Sequence, residues 1–149
     1  MKNLFKIVLS IVFVSSFAYA LTPFSLEGIK AVNVVVLNKG KLVSKNTIKQ
    51  IKEETIEALK DEGIKTNTDE FSNFIIKIEG DKVSTKIAVN VSLILVESVN
   101  PIRDTKLTNV AVTYQKSDFF IADKIDQDVY ESAVEFLLPM FLEQFIDEN

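Results

Sequence analysis

Residues 87–96 read IAVNVSLILV, and this stretch decides the fold. β-Branched residues dominate it, and apolar side chains recur at every second position from Ile87 to Leu95, which is the period of one face of a β-strand. The alternate positions begin small and polar and end apolar. We therefore predict a long strand near the centre of a sheet, covered on one face and only partly covered on the other.

The composition is that of one globular domain without the residues most used in catalysis. The chain has 149 residues, of which 47% are hydrophobic and 26% charged, and its net charge is −4. These values fit a single domain of ordinary balance. The sequence contains no Cys and no His. A disulfide framework, a thiol nucleophile and a Cys-ligated zinc are therefore excluded, and the commonest general base is missing.

The first twenty residues have the pattern of a secretory signal. Lys2 and Lys6 precede an apolar run at residues 7–14, and an A-x-A motif ends at Ala20. The run is short for a bilayer core of roughly 30 Å, which needs about 20 apolar residues. We predict a signal peptide at residues 1–20, cleaved after Ala20, and a single α+β domain at residues 21–149. The alternative is an uncleaved N-terminal anchor. Since an exported domain of this size can fold without disulfides, the bacterial periplasm is the expected compartment.

Around the central strand, the hydrophobic periodicity predicts three more strands and two helices. Strands are expected at residues 28–37, 71–78 and 107–115, and helices at residues 46–62 and from Lys124 onward. The order β-α-β-β-β-α predicts an α+β two-layer sandwich, in which a four-stranded mixed sheet carries two helices on one face. The second and third strands should form an antiparallel hairpin, because so short a link leaves no room for a crossover.

Local signals mark the ends of these elements. Ser44 and Asp123 stand where the two helices each need an N-cap. Residues 66–70 are polar and are expected to form a loop, and residues 79–81 a tight turn. Pro139 has no N–H to donate to the preceding turn, so we expect the second helix to kink or break there.

This element order is similar to that of small envelope-assembly accessory proteins, for instance the lipoprotein component of the lipopolysaccharide translocon. The resemblance is one of topology, and it implies an accessory role in envelope assembly or transport. That family carries a lipidated Cys after its signal, and this chain has no Cys. No residue of the family is therefore transferred to this sequence.

The charged residues lack the spacing of a catalytic or metal site. Five acids crowd the start of the second helix: Asp123, Asp126, Asp128, Glu131 and Glu135. They point in different directions around a helix and lack the glycine turn of a calcium loop, so they are interpreted as a solvated face. Arg103 and Asp104 fit a surface turn. Nucleotide-binding and nucleophile-elbow motifs are missing, and we predict a protein that is not an enzyme and has no catalytic residue, metal or cofactor.

A lysine-rich stretch between residues 30 and 52 contains no acid. The candidates for an anionic surface are Lys39, Lys41, Lys45, Lys49 and Lys52. No arginine or aromatic residue accompanies them, and both are usual where nucleic acid is bound. An anionic lipid or lipopolysaccharide is the functional interpretation, and a solubilising helix face is the structural one.

The end of the last helix is apolar on every side. The candidates for contact with a partner or ligand are Phe136, Leu138, Met140, Phe141, Leu142 and Phe145. These side chains cannot all face one sheet, so the helix is either simply buried or presents an exposed patch. An exposed patch would meet a partner protein, a second copy of the chain, or a lipid tail.

Three functions are compatible with these patterns. The first is a non-catalytic periplasmic protein that binds a partner in the cell envelope. The second is a carrier or sensor of an apolar ligand or lipid, held between the sheet and the last helix in a pocket lined by Phe136, Met140 and Phe141. The third is an enzyme, which would need polar groups that converge in a cleft.

Overall fold

The computed structural model describes residues 25–69 and 71–149, so the predicted signal peptide lies outside the described residues. It contains one mixed five-stranded sheet with the strand order β2-β1-β3-β4-β5. The strands are β1 (Ala31–Asn38), β2 (Lys65–Thr66), β3 (Ser72–Val83), β4 (Lys86–Val99) and β5 (Asn109–Ala122). The predicted α+β class is confirmed, whereas the predicted number of four strands is wrong.

β4 contains the stretch that reads IAVNVSLILV and lies between β3 and β5, as its pattern predicted. Its apolar set faces the helices and is buried: Val89, Val91, Leu93 and Leu95. The alternate set, from Ala88 to Val96, lies on the opposite face, which we call the open face. The helices cover one face of β4, which agrees with the prediction that this strand is only partly covered on its other face.

The fifth strand is β2, which consists of two residues, of which Thr66 belongs to the stretch predicted to be a loop. Ala31 aligns with Lys65 and Val32 with Thr66 in a parallel pair. Two polar residues give no alternation that could reveal a strand in the sequence. β1 pairs on its other side with β3, also in parallel, and β3 pairs with β4 as an antiparallel hairpin.

The predicted tight turn at residues 79–81 is wrong, because β3 continues to Val83. The chain reverses instead at Ser84 and Thr85, and Ser84 adopts a positive φ of 60°. Gly80 has a different role from a turn residue. A Cβ at this position would lie 2.8 Å from the carbonyl oxygen of Ala88, so glycine allows a close approach of two paired strands.

The first helix, α1 (Lys45–Asp61), begins where its cap was predicted. The Ser44 Oγ accepts a hydrogen bond from the Thr47 N–H at 3.2 Å, which satisfies one of the four free donors of the first turn. Ile51, Thr55 and Leu59 are buried at helical spacing. This face packs against β1, so α1 forms part of the layer on the helix side of the sheet.

The C-terminal helix consists of three consecutive parts: α2 (Ile125–Tyr130), a π-helical segment (Glu131–Leu137) and α3 (Leu138–Glu148). The predicted cap by the Asp123 side chain is wrong. Asp128 performs this role, since its Oδ2 accepts from the N–H groups of Asp123 and Lys124 at 2.8 Å each. A carboxylate is favourable here because the helix N-terminus carries a partial positive charge.

The helix does not stop at Pro139, and the strain of the proline is taken up by the π-helical segment. The Leu138 N–H donates to the carbonyl of Ala133, five residues back. A wider turn avoids the clash that a proline ring makes with the carbonyl four residues earlier in an α-helix. No helix within residues 25–69 and 71–149 is long and apolar enough to cross a membrane.

Candidate functional site

Exposed apolar side chains are concentrated on β5. Four large hydrophobic residues of this strand are solvent-exposed: Val110, Val112, Phe119 and Ile121. Phe119 has 71% of its surface accessible, although burial of a Phe side chain stabilises a fold by roughly 1.5–3 kcal/mol. Contiguous apolar exposure on a sheet typically marks a contact surface.

The strand register places these side chains on the open face. Phe119 aligns with Asn90, and Ile121 aligns with Ala88, both on the side of β4 that faces away from the helices. Between β4 and β5 the open face also carries a polar contact, in which the hydroxyls of Ser92 and Ser117 lie 2.8 Å apart. Phe119 therefore stands next to a polar strip and is not part of a second core.

A groove of about 480 Å³ lies beside the same half of β5. Its lining has five carboxylates and no basic side chain: Asp118, Phe120, Ile121, Asp123, Asp128, Glu131, Ser132, Glu135 and Phe136. Asp118 and Phe120 belong to the helix side of β5 and Ile121 to the open side. Ile121 is next to the last residue of β5, which is an edge strand, so the groove lies beside the end of this strand at the edge of the sheet.

Hydrogen bonds hold several of the groove acids in place. The Ser132 hydroxyl donates to Asp118 Oδ2 at 2.8 Å, which joins β5 to the π-helical segment. The Gln127 side-chain amide donates to Glu131 Oε1 at 2.7 Å. Within residues 25–69 and 71–149, no three acidic side chains are grouped so that they could hold a metal ion. Asp123 forms an ion pair with Lys86 at 3.2 Å, so the negative charge of the groove comes mainly from the other four acids.

Phe136 contributes an exposed aromatic ring to this groove, with 50% of its surface accessible. Its position follows from the π-helical segment. After Ala133 the next buried residues are Leu137 and Leu138, four and five residues on, whereas one face of an α-helix recurs after three and four. An α-helical count from Ala133 would bury Phe136 and expose Leu138, and the wider turn reverses this.

The other candidates from the end of the helix are divided between core and surface. Leu138, Phe141 and Phe145 are buried, so the interpretation of these three as an exposed patch is wrong. The Phe141 ring meets Phe74 edge-on at 4.8 Å between centroids and Tyr114 at 5.2 Å. These contacts fill the space where an apolar ligand was predicted to lie against Phe141.

Met140 and Leu142 are half-buried at the margin of the core. Leu142 and Leu138 also line an open groove of about 500 Å³ between the C-terminal helix and α1, together with Pro139. Acidic residues of α1 form the other wall of this groove, among them Glu54, which accepts a hydrogen bond from the Tyr130 hydroxyl at 2.6 Å. This hydrogen bond raises the pKa of Tyr130 above its ordinary value of 10.0.

The lysine candidates are all exposed, but some of their charge is neutralised. Lys39 forms an ion pair with Glu79 at 2.8 Å, and Lys49 contacts Glu53 at 3.7 Å. The hydrogen bond and charge of Glu79 raise the pKa of Lys39. Lys41, Lys45 and Lys52 stand near the start and the outer side of α1. Binding of an anionic surface by these lysines stays a prediction.

Asp126 connects the two helices, a role that the sequence does not reveal. Its Oδ1 accepts from the Ser44 N–H at 2.8 Å and from the Thr47 hydroxyl at 2.5 Å. The bonds from Thr47 and Ser44 lower the pKa of Asp126 below its ordinary value of 3.8. One of the five crowded acids is therefore structural and lies outside the groove.

The second half of β5 lies beyond the predicted strand, which ends at residue 115. The signal was present, since Tyr114, Phe120 and Ala122 alternate with Phe119 and Ile121. Two adjacent phenylalanines interrupt the polar alternation of the open side, so the segment was not recognised as a strand. On a sheet, adjacent side chains point to opposite faces, and each phenylalanine belongs to a different surface.

The comparisons with known proteins give distant structural likenesses. No protein-family model matches the chain, and no curated protein matches it. A PelC dodecamer from Paraburkholderia phytofirmans aligns with a TM-score of 0.45 and 14% identity, over 78% of this chain and 88% of that one. The hypothetical protein CT253 from Chlamydia trachomatis aligns with a TM-score of 0.34 and 10% identity, over 79% of this chain and 94% of that one. Both TM-scores lie below 0.5, so neither likeness informs the function.

Proposed function

We propose that this chain is a non-catalytic protein of the bacterial cell envelope that binds a partner protein. Export to the periplasm is the expectation from the pattern of residues 1–20. The single observation that supports binding is the exposure of Phe119 beside Ile121 on a strand at the sheet edge. An exported domain gains nothing in stability from an exposed phenylalanine, whereas a partner that covers it gains buried apolar area.

The contact surface proposed for the partner is named the edge site. It consists of the outer edge of β5 over residues 115–122, the exposed Phe119 and Ile121, and the acidic groove that ends at Phe136. This surface replaces the end of the C-terminal helix as the place of contact, because the helix uses Phe141 and Phe145 for the core. Anchoring aromatic residues with a charged rim are typical of protein–protein interfaces.

The alternative of an apolar-ligand carrier is less well supported. It requires space between the sheet and the C-terminal helix, and the rings of Phe74, Tyr114 and Phe141, packed edge-to-face, occupy that space. The grooves of about 480 and 500 Å³ are both open and rich in carboxylates. Such lining disfavours a lipid tail, because burial of unpaired carboxylates against an apolar ligand is costly.

Site-specific photocrosslinking in cells tests this function. A photoreactive phenylalanine analogue replaces Phe119, and in a matched control it replaces Lys60, which is exposed near β2 on the opposite edge of the sheet. We expect one discrete adduct from position 119 in the periplasmic fraction and none from position 60. A chain retained in the cytoplasm, or the same adducts from both positions, would contradict the proposal.

A further inference from the structure

We propose that the partner binds the edge site as an extended basic segment, which adds to β5 as a sixth strand. This inference rests on the proposed function, because it specifies the chemistry of the partner at the same surface. The added strand would direct lysine or arginine side chains towards the acidic groove. Its alternate residues, which are apolar, would lie beside Phe119 and Ile121.

The edge of β5 offers the backbone groups that strand addition needs. Within the described residues, β5 pairs with β4 alone, so its outer N–H and C=O groups face away from the sheet. Residues 115–122 form eight positions of regular strand, which span roughly 27 Å at about 3.4 Å per residue. A register shift lies between Leu95 and Val96, opposite the first half of β5, and leaves the second half regular. An extended peptide can therefore pair along the second half without interruption.

The two faces of β5 dictate the pattern of the added strand. Cross-strand neighbours on one face come within about 5 Å, so each side chain of the guest strand meets the host residue opposite it. On the helix side the guest strand meets Lys116, Asp118 and Phe120 and, beyond Asp118, the carboxylates of Asp128, Glu131 and Glu135. On the open side it meets Phe119 and Ile121. A guest strand that alternates basic and apolar residues therefore complements Asp118 and the groove on one face of β5 and Phe119 and Ile121 on the other.

The charge of the groove disfavours the simplest other guest, which is the β5 strand of a second copy, although an antiparallel pair centred on Ser117 would place Lys116 of one copy opposite Asp118 of the other. An antiparallel pair of β5 strands would place two grooves next to each other, each with five carboxylates and no basic lining residue. Lys116 is the single cation on β5, and it is half-buried on the helix side. Like charges opposed across a strand pair are destabilising. A basic guest strand is attracted by the carboxylates of the groove, whereas the groove of a second copy is repelled by them.

A peptide-binding experiment tests this inference with the protein purified after expression of the full chain. The probe is a fluorescent, N-acetylated octapeptide that alternates lysine and valine, and the control peptide alternates glutamate and valine. We expect the lysine peptide to bind at least tenfold more tightly, and its affinity to fall at least tenfold between 50 and 300 mM salt. Hydrogen exchange should become slower for the backbone amides of residues 115–122.

Two matched changes separate strand addition from a merely electrostatic attraction. The double variant Glu131→Gln/Glu135→Gln should weaken binding of the lysine peptide at least tenfold, whereas Glu53→Gln/Glu57→Gln on the exposed side of α1 should leave it unchanged. A lysine peptide with N-methylated valines keeps its charge but cannot pair as a strand, and it should bind at least tenfold more weakly. Equal binding of the methylated peptide would overturn strand addition.

The remaining outcomes distinguish this inference from the proposed function. If the lysine peptide does not bind but crosslinking from position 119 still gives a discrete adduct, the chemistry assigned to the partner is wrong and the proposed function stands. If neither signal is found, both are wrong. A dimer that the Phe119→Asp substitution dissociates would make a second copy the occupant and overturn the basic strand.

Discussion

Phe141 is the residue on which the two layers of the fold converge. Its ring contacts Phe74 on β3 and Tyr114 on β5, and it stacks on Phe145 of the same helix at 6.4 Å between centroids. Edge-to-face pairs add roughly 0.5–1.5 kcal/mol each to the burial of apolar area. A single side chain from the C-terminal helix thus joins strands on both sides of β4.

The substitution Phe141→Ala is expected to lower the free energy of unfolding by about 3–5 kcal/mol, because it leaves a cavity between the layers. The control Phe136→Ala removes the half-exposed ring of the groove, and its cost should be below about 1 kcal/mol. Urea unfolding followed by circular dichroism measures both values. Equal losses for the two variants would show that Phe136 is buried in solution.

At this scale the sequence predicts local partners well and distant ones poorly. The Ser44 cap was predictable, because its acceptor and the Thr47 donor are three residues apart. Asp126 was assigned to a solvated face, although it binds Ser44, 82 residues away. A contact of that separation depends on the packing of two helices, and no local pattern reports it.

The π-helical segment is the element that determines which side of the C-terminal helix faces the core. The acidic row of Asp128, Glu131 and Glu135 continues into Phe136, and Leu138 turns inward. In a π-helix each N–H bonds to the carbonyl five residues back, one residue further than in an α-helix. The side chains after the segment are therefore rotated about the helix axis relative to those before it. The groove and the core both depend on this rotation.

Deletion of Glu135 tests this account when it is combined with Pro139→Ala. The deletion shortens the five-residue step between Ala133 and Leu138 to four, so an α-helix can present the same buried side chains. We expect the double variant to fold with a loss below about 2 kcal/mol. The deletion alone should cost about 3 kcal/mol more, because Pro139 then lies inside an α-helix.

The control for this prediction is deletion of Glu53 in α1, which has no π-helical turn. It moves Thr55 and Leu59 away from the core, and the loss should exceed about 4 kcal/mol. Thermal melting compares the three deletion variants. If both deletion variants of the C-terminal helix lose as much stability as the Glu53 deletion, the π-helical turn does not arise from one additional residue in the helix.

The elements show why periodicity predicts some strands and not others. β4 was found because it alternates over ten residues with one buried face. Two residues cannot alternate, so no periodicity predicts β2. Glycine is common both in turns and at close strand contacts, so Gly80 predicts a turn where the structure has a strand. α-Helical counting gave the correct helix but the wrong exposed residues after Ala133, since it assumes a uniform turn.

In the whole molecule, the last residues of the C-terminal helix hold the first described residues of the chain. Glu148 Oε2 accepts from the Leu26 N–H at 2.5 Å, and Asn149 Oδ1 accepts from the Gly28 N–H at 2.8 Å. Leu26 is fully buried in the core. The last residues of the chain are therefore fixed to residues 26–28, and the core is closed where these two segments meet.

Stability should depend on pH through Glu148. The Leu26 N–H, followed by the Gln144 amide, lowers the pKa of Glu148 below its ordinary value of 4.5. A lowered pKa in the folded state means that the charged carboxylate stabilises the fold above pH 4.5, and that this contribution is lost as the pH falls through the lower, folded-state pKa. We expect Glu148→Gln to cost about 1 kcal/mol at pH 7 and much less at pH 3.

The exposed Glu143 on the same helix provides the comparison, because Glu143→Gln should change stability by less than about 0.5 kcal/mol at either pH. Urea midpoints at the two pH values give the difference. A loss from Glu148→Gln that is the same at pH 3 and pH 7 would mean that packing, and not charge, holds the two ends.

The contact of Asn149 with residues 26–28 has a practical consequence for any study that attaches a foreign sequence. An affinity tag fused after Asn149 would crowd the site where the side-chain amide of this residue donates to the Leu26 carbonyl at 3.1 Å. The exposed turn at residues 102–107 is free of core contacts and suits a dye or an epitope better. A weakened protein carrying a C-terminal fusion would thus reflect the position of the fusion and not the fold itself.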